Sequence, residues 1–247
     1  MKKPVTKSSG SKSSPRGARD APARQRAKRL PGAERRSLIM KEAGVFFSQN
    51  GFAASTRDLA DRLGVRQALL YKYFASKEAL IETVVDEAFN DHWTLKWSRI
   101  IGDTSLPLAD RLLAFYSGYS DLPDDPDAQR LRLFLRGAMD GWPLPARLNP
   151  LLTKAFVAPL VAELRGLEGL PDFAARPLMK GERELVMMLH GAVIFYAIRA
   201  HIYKAPGIPD RDAVLGLFIA TYLRGVRASI KSLHDVGATA ELTAAEA

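Results

Sequence analysis

Cysteine is absent from the 247 residues. That removes disulfides, thiolate metal sites and cysteine nucleophiles, and it fits a reducing cytoplasm. Histidine is scarce. His92, His190, His201 and His234 include no pair at i, i+4 spacing, so no metal site is expected. Glycine-rich phosphate loops and the G-x-S-x-G elbow are missing too, and the paired acids Asp124-Asp125 sit among prolines as solvated loop residues. Neither an enzyme nor a bound cofactor is expected.

Acidic residues are nearly missing from the first part of the chain. Residues 1–36 hold 12 Lys and Arg against two acids, which leaves 24 bases against 25 acids in the rest. The formal charge of +9 therefore belongs to the tail. Residues 1–33 have almost no large apolar side chain, cannot offset chain entropy by burial and are expected to be a disordered basic tail. They also lack the apolar run of a secretory signal. The tail is either a basic arm that follows phosphates or enters a minor groove, or a solubilising extension.

From Glu34 the period is helical. Ile39, Ala43, Phe46 and Phe47 form one stripe, stopped by Asn50-Gly51. Ser55 caps a second helix, with Asp58 three residues on, and Gly64 turns the chain. A brief third helix over 66–73 anchors itself through Leu70 and Phe74, with Leu69, Lys72 and Tyr73 opposite and Arg66 and Gln67 at its exposed start. Ser76 caps a long helix that runs on to Trp93. Two short helices meeting at a glycine, the second polar on its free side, suit a helix-turn-helix over 55–74.

The stretch "AGVFFSQNGFAASTRDLADRLGVRQALLYKYFASKEAL" carries the resemblance. With it, residues 34–92 resemble the DNA-binding domain of the TetR (tetracycline-repressor-like) regulators, through the "LA…LGV" turn, "LY.YF" and "SKE.L". Two positions depart from the family pattern, Arg66 after "GV" and Leu69 before "LY", and both fall where bases are read. Thr56 and Arg57, opening the second helix, suit a phosphate. Arg66 suits guanine and Gln67 adenine, while Leu69 suits a thymine methyl. The resemblance implies that Tyr71, Tyr73 and Lys77 grip phosphates, with Lys72 an added contact.

Residues 93–235 have no strand-like alternation, and helices are expected near 106–120, 127–139, 149–168, 182–203 and 210–233, before a flexible tail over 236–247. "DLPDDPD" (121–127) and "GWPLP" (141–145) read as loops. Asn149-Pro150 reads as a cap and first helical position, and Pro159 as a kink. The apolar segment 185–203 is interrupted by His190, Arg199 and His201, which argues for a buried helix rather than a membrane span. Helices apolar on two faces need a second partner. Ile194, Ile198, Phe218, Tyr222 and Leu223 are the candidates for a homodimer interface, an arrangement the resemblance also implies. Phe115, Phe134, Trp142, Phe156, Met187, His190 and Tyr196 are the candidates for a small, largely apolar effector's pocket.

The expected architecture is all-α: an N-terminal three-helix helix-turn-helix domain, joined by a long helix to a C-terminal helical ligand-binding and dimerisation domain. The expected function is a cytoplasmic repressor, bound as a homodimer to a palindromic operator in double-stranded DNA and released by the effector. The alternatives are a ligand-independent regulator controlled by a protein partner, and a nucleoid-type protein binding DNA without sequence preference.

Overall fold

The computed structural model describes residues 31–89, 91–120 and 128–245, with side chains described outside 91–94, 119–120 and 237–245. The basic tail through residue 30 and the acidic loop 121–127 lie outside the described residues. Among the described residues every regular element is helical. In chain order these are α1 (Gly32–Asn50), α2 (Thr56–Arg62), α3 (Gln67–Tyr73), α4 (Lys77–Ala88), α5 (Asp91–Gly102), α6 (Leu108–Ser120), α7 (Gln129–Met139) and α8 (Leu144–Leu152). A π turn over Thr153–Val157 leads into α9 (Ala158–Glu168). Then come α10 (Lys180–Ala197), a second π turn over Ile198–Ile202, and α11 (Arg211–Ala245).

Two hydrophobic cores organise these helices. The first gathers the α1 stripe, Leu59 of α2, Leu70 of α3, Phe74, and Leu80, Ile81, Val84 and Val85 of α4. It is completed by Leu133 of α7 and Leu144 of α8, both essentially inaccessible to water. Gly137 shows how close this approach is, because a Cβ there would stand 2.7 Å from Phe52 Cε2 and would also strike Leu144. The second core joins α5, α6, α9, α10 and α11 around Phe115, Tyr116, Phe156, Leu189 and Tyr222.

The long helix expected after Ser76 is broken. α4 ends at Ala88, and Phe89 (φ −129°, ψ 33°) leaves the helix. α4 packs chiefly on α1, whereas α5 packs on α6, α9 and the first π turn. No proline or glycine marks this break in "VVDEAFNDHW".

Pro150 lies inside α8, which starts earlier, at Leu144. Pro159 does not kink a continuous helix. The π turn ends just ahead of it and lets α9 restart with proline in its first turn, where no N–H is needed. At the far end, the backbone of α11 stays helical to Ala245 where a flexible tail was expected. "VGATAELTAA" is rich in helix formers and has no proline.

By length and composition, Lys180–Ile202 and Arg211–Val236 are each apolar enough to cross a membrane. Here each turns a stripe into the second core. A buried ionic network also ties α10 and α11 to α9. Arg165, 1% exposed, sends Nε and Nη2 to the two oxygens of Glu182, both at 2.6 Å. Its remaining N–H groups reach the carbonyls of Pro171, Arg176 and Pro177. His234 Nε2 lies 3.0 Å from Glu182 Oε1, and the Met179 N–H donates to Oε2 at 2.9 Å. Burial alone would raise the Glu182 carboxyl. Hydrogen bonds from Arg165, His234 and Met179 overturn that and hold it below its ordinary value.

Candidate nucleic-acid interface

α2 and α3 are seven-residue helices that stand only because their ends and inner faces are tied down. Ser55 Oγ accepts the Arg57 N–H at 3.1 Å, capping α2. Gly64 makes the turn at φ 65°, a left-handed conformation that disfavours any side chain. Leu70 and Phe74 then bury one side of α3 at 1% and 4% exposure, worth roughly 1.5–3 kcal/mol each. Ser76 Oγ accepts the Ala79 N–H at 3.1 Å and starts α4.

This anchoring leaves Arg57, Arg66, Ala68, Tyr71 and Lys72 exposed, with Gln67, Leu69, Tyr73 and Lys77 half-buried beside them. Ala68 was not anticipated. It lies opposite the anchoring Leu70, and a methyl at that position suits thymine at least as well as Leu69 does. Counting from the anchor at Leu70 rather than from the helix start would have found it.

Thr56 departs from expectation. It is 6% exposed, and its hydroxyl is occupied within the protein. Gln67 Nε2 donates to Thr56 Oγ1 at 2.7 Å, and Tyr71 Oη lies 3.0 Å from the same oxygen. Thr56 is thus a strut between α2 and α3, because α3 folds back over the position that a lone helix would expose. Lys77 occupies the first turn of α4, where the helix dipole disfavours a cation but welcomes an anion beside it.

Residues 39–84, the stretch that runs from the α1 stripe to the core-facing side of α4, match the family of bacterial regulatory proteins called tetR. Over these residues the chain carries the sequence pattern of the tetR family. Over 75 residues it is 33% identical to the HTH-type transcriptional repressor KstR2 of Mycobacterium tuberculosis, covering 30% of this chain and 37% of that protein. The KstR2 of Mycolicibacterium smegmatis is 34% identical over 77 residues, 31% of this chain and again 37% of its own length. The match therefore spans little more than a third of these curated relatives.

Solved structures extend the likeness in fold. A TetR-family transcriptional regulator from Bordetella parapertussis superposes with a TM-score of 0.56 at 21% identity, covering 76% of this chain and 93% of its own. Mycobacterium smegmatis AmtR gives 0.53 at 24% identity, with 81% and 90% covered. Among the described residues no cluster of three His, Asp or Glu side chains could hold a metal.

The pocket candidates divide between the two cores. Phe115 and Phe156 stack at 4.2 Å between ring centroids, fully buried, and the His190 ring lies 6.2 Å from Phe156. Tyr116 and Trp97, not singled out beforehand, pack edge-on against Phe115. Burial pushes the His190 imidazole down to about 4, which keeps it neutral near pH 7. Met187 flanks this cluster half-buried, and Tyr196 donates its hydroxyl to the Pro209 carbonyl at 3.0 Å. Phe134 and Trp142 belong elsewhere. Both pack on the first core, Trp142 edge-on to Phe52 at 5.4 Å, so they line the seam beneath the reading head.

The interface candidates shift in the same way. Tyr222 is 4% exposed in the subunit's own core, and Phe218 and Leu223 lean on that core. Ile194 and Ile198 are half-buried. Met188 and Phe195 on α10 and Leu217 on α11 are among the residues that stand clear of the bundle, 55–63% exposed. Sequence period separates rows of a helix but does not say which row faces inward.

Proposed function

We propose that this tetR-family chain is a repressor that holds a near-palindromic DNA site as a homodimer and releases it when a small, largely apolar effector enters the second core. The observation that carries the reading is the exposed set Arg66, Ala68, Tyr71 and Lys72 on a short helix whose other side is anchored by Leu70 and Phe74. Such a helix presents its N-terminal residues to a major groove. KstR2 is a repressor, which supports the direction of control proposed here. The compartment is the cytoplasm, where the DNA is.

The dimer is favoured by the outer surface of α10 and α11. Met188 and Phe195 share a face of α10 with Gly191, where a Cβ would meet nothing within 4 Å, and Leu217 stands exposed on α11. A shallow groove between the two helices, lined by Gly181, Glu184, Leu185, Ala228, Ser232 and Val236, suits an apposed helix. Apolar side chains among open small residues allow close helix packing.

Coupling between the domains runs through α7 rather than α4. Asp140, at the end of α7, accepts the Phe52 N–H at 2.6 Å, and Arg132 donates to the His201 carbonyl in the second π turn at 2.7 Å. α7 thereby holds the reading head at one end and the π turn that follows α10 at the other. An effector acts by favouring the state of this linkage in which the two recognition helices no longer match adjacent grooves.

Two substitutions separate base reading from phosphate contact. Arg66→Ala should lose about 1–3 kcal/mol of discrimination at one base position and relax the selected site there. Lys77→Ala should weaken all sequences alike and flatten the slope of log K against log salt by ~0.9. Selection from randomised duplex, repeated at several salt concentrations, checks both. An Arg66→Ala protein that selects the wild-type site unchanged would contradict this orientation of α3.

A further inference from the structure

Thr56, Gln67 and Tyr71 form a hydrogen-bonded line whose chemistry is directional. A glutamine amide nitrogen can only donate, so Thr56 Oγ1 accepts from Gln67 Nε2 at 2.7 Å. The threonine hydroxyl then still has its own proton, and Tyr71 Oη lies 3.0 Å away to take it. Tyr71, accepting on that side, keeps its phenolic proton for the solvent side, where it is 43% exposed. We propose that Thr56 is a positioning residue: without touching DNA itself, it turns the Tyr71 hydroxyl so that its proton faces a backbone phosphate.

Phosphate oxygens only accept hydrogen bonds, so this polarity is the one a bound duplex selects. With the line reversed, Thr56 would donate to a flipped Gln67 carbonyl and Tyr71 would donate inward to Thr56. The phenol would then meet phosphate with lone pairs alone. Thr56 is suited to the task because it is 6% exposed, so neither water nor salt competes for its hydroxyl. The proposal rests on the DNA-binding reading above.

The test uses the full chain and two probes: a duplex enriched from a randomised pool by the wild-type protein, and random-sequence duplex of equal length. Thr56→Val keeps the buried shape and removes the hydroxyl, so it should fold normally and bind both probes about tenfold more weakly, the loss expected when a hydrogen bond to a charged partner fails. Tyr71→Phe should lose a similar factor. The salt slope should stay unchanged in both, since neither removes a charge. The double variant should be no weaker than Tyr71→Phe by more than about twofold, because the two act through one proton. Thr56→Ser should restore binding to within about threefold of wild type.

Independent, multiplying losses, or a folded Thr56→Val protein that binds like wild type, would overturn the proposal. So would failure of Thr56→Ser to rescue. Wild-type protein that binds neither probe at low salt would instead overturn the DNA-binding reading, and this proposal with it.

Discussion

Glu182→Ala should destabilise the protein by about 3–5 kcal/mol, the largest single-site effect expected on the fold. Its carboxylate is fully buried and satisfies two N–H groups of Arg165, one edge of His234 and the Met179 N–H. Removing it strands a guanidinium that is itself 1% exposed, beyond the reach of water. The same carboxylate gives the stability a pH dependence of definite sign. Its folded-state pKa lies below the ordinary 4.5, so its contribution is complete above that pH and is lost as pH falls through the lower folded value. Glu182→Gln should therefore remove part of the wild-type decline in acid as well as lowering stability near pH 7. Chemical denaturation of the three proteins across pH 3–7 checks both claims. Equal midpoints for wild type and Glu182→Ala would mean that the network contributes nothing to stability.

The second large effect is on binding. A combined Phe195→Glu, Leu217→Arg variant changes side chains that stand 55% and 63% exposed, so the subunit should fold with little loss of stability. If these residues meet a second copy, charge in that contact should give a monomer. Affinity for a full palindromic site should then fall by about 10²–10⁴, the gain lost when two reading heads no longer share one platform. Half-site affinity should hardly change. Sedimentation and titration against full and half sites decide the matter. A folded monomer that still grips the full site as tightly as wild type would sink the dimer reading. Phe218 and Leu223 serve poorly for this experiment, since both lean on their own core and charge there would confuse misfolding with dissociation.

Local signals carried much of the reading head. The α1 stripe, the caps at Ser55 and Ser76 and the turn at Gly64 all depend on residues within one or two helical turns, and all stand where that chemistry puts them. What local signals miss is the identity of the surface a side chain meets. Leu133 and Leu144 sit more than 80 positions from the α1 residues they cover, so nothing near them in sequence marks their destination. Trp142 and Phe134 looked like pocket lining only because aromatic side chains in an apolar domain suit a pocket. Thr56 looked like a phosphate ligand because the start of a lone helix is exposed, and only its bonds to Gln67 and Tyr71 withdraw it. The break after α4 was illegible for a different reason: neither proline nor glycine marks it.

The penetration of α7 and α8 into the first core bears on how reading heads can be exchanged between regulators. A fragment cut after residue 92 would keep every helix that faces DNA yet lose Leu133 and Leu144, leaving Phe47 and Phe52 beside an open cavity. It would also lose the Asp140 carboxylate that receives the Phe52 N–H. Transplanting this head onto another body, or another head onto this one, would therefore replace half of a seam and leave the other half unmatched. The natural unit for a working chimaera is residues 31–89 together with 129–144, two pieces that are distant in the gene and contiguous in the molecule.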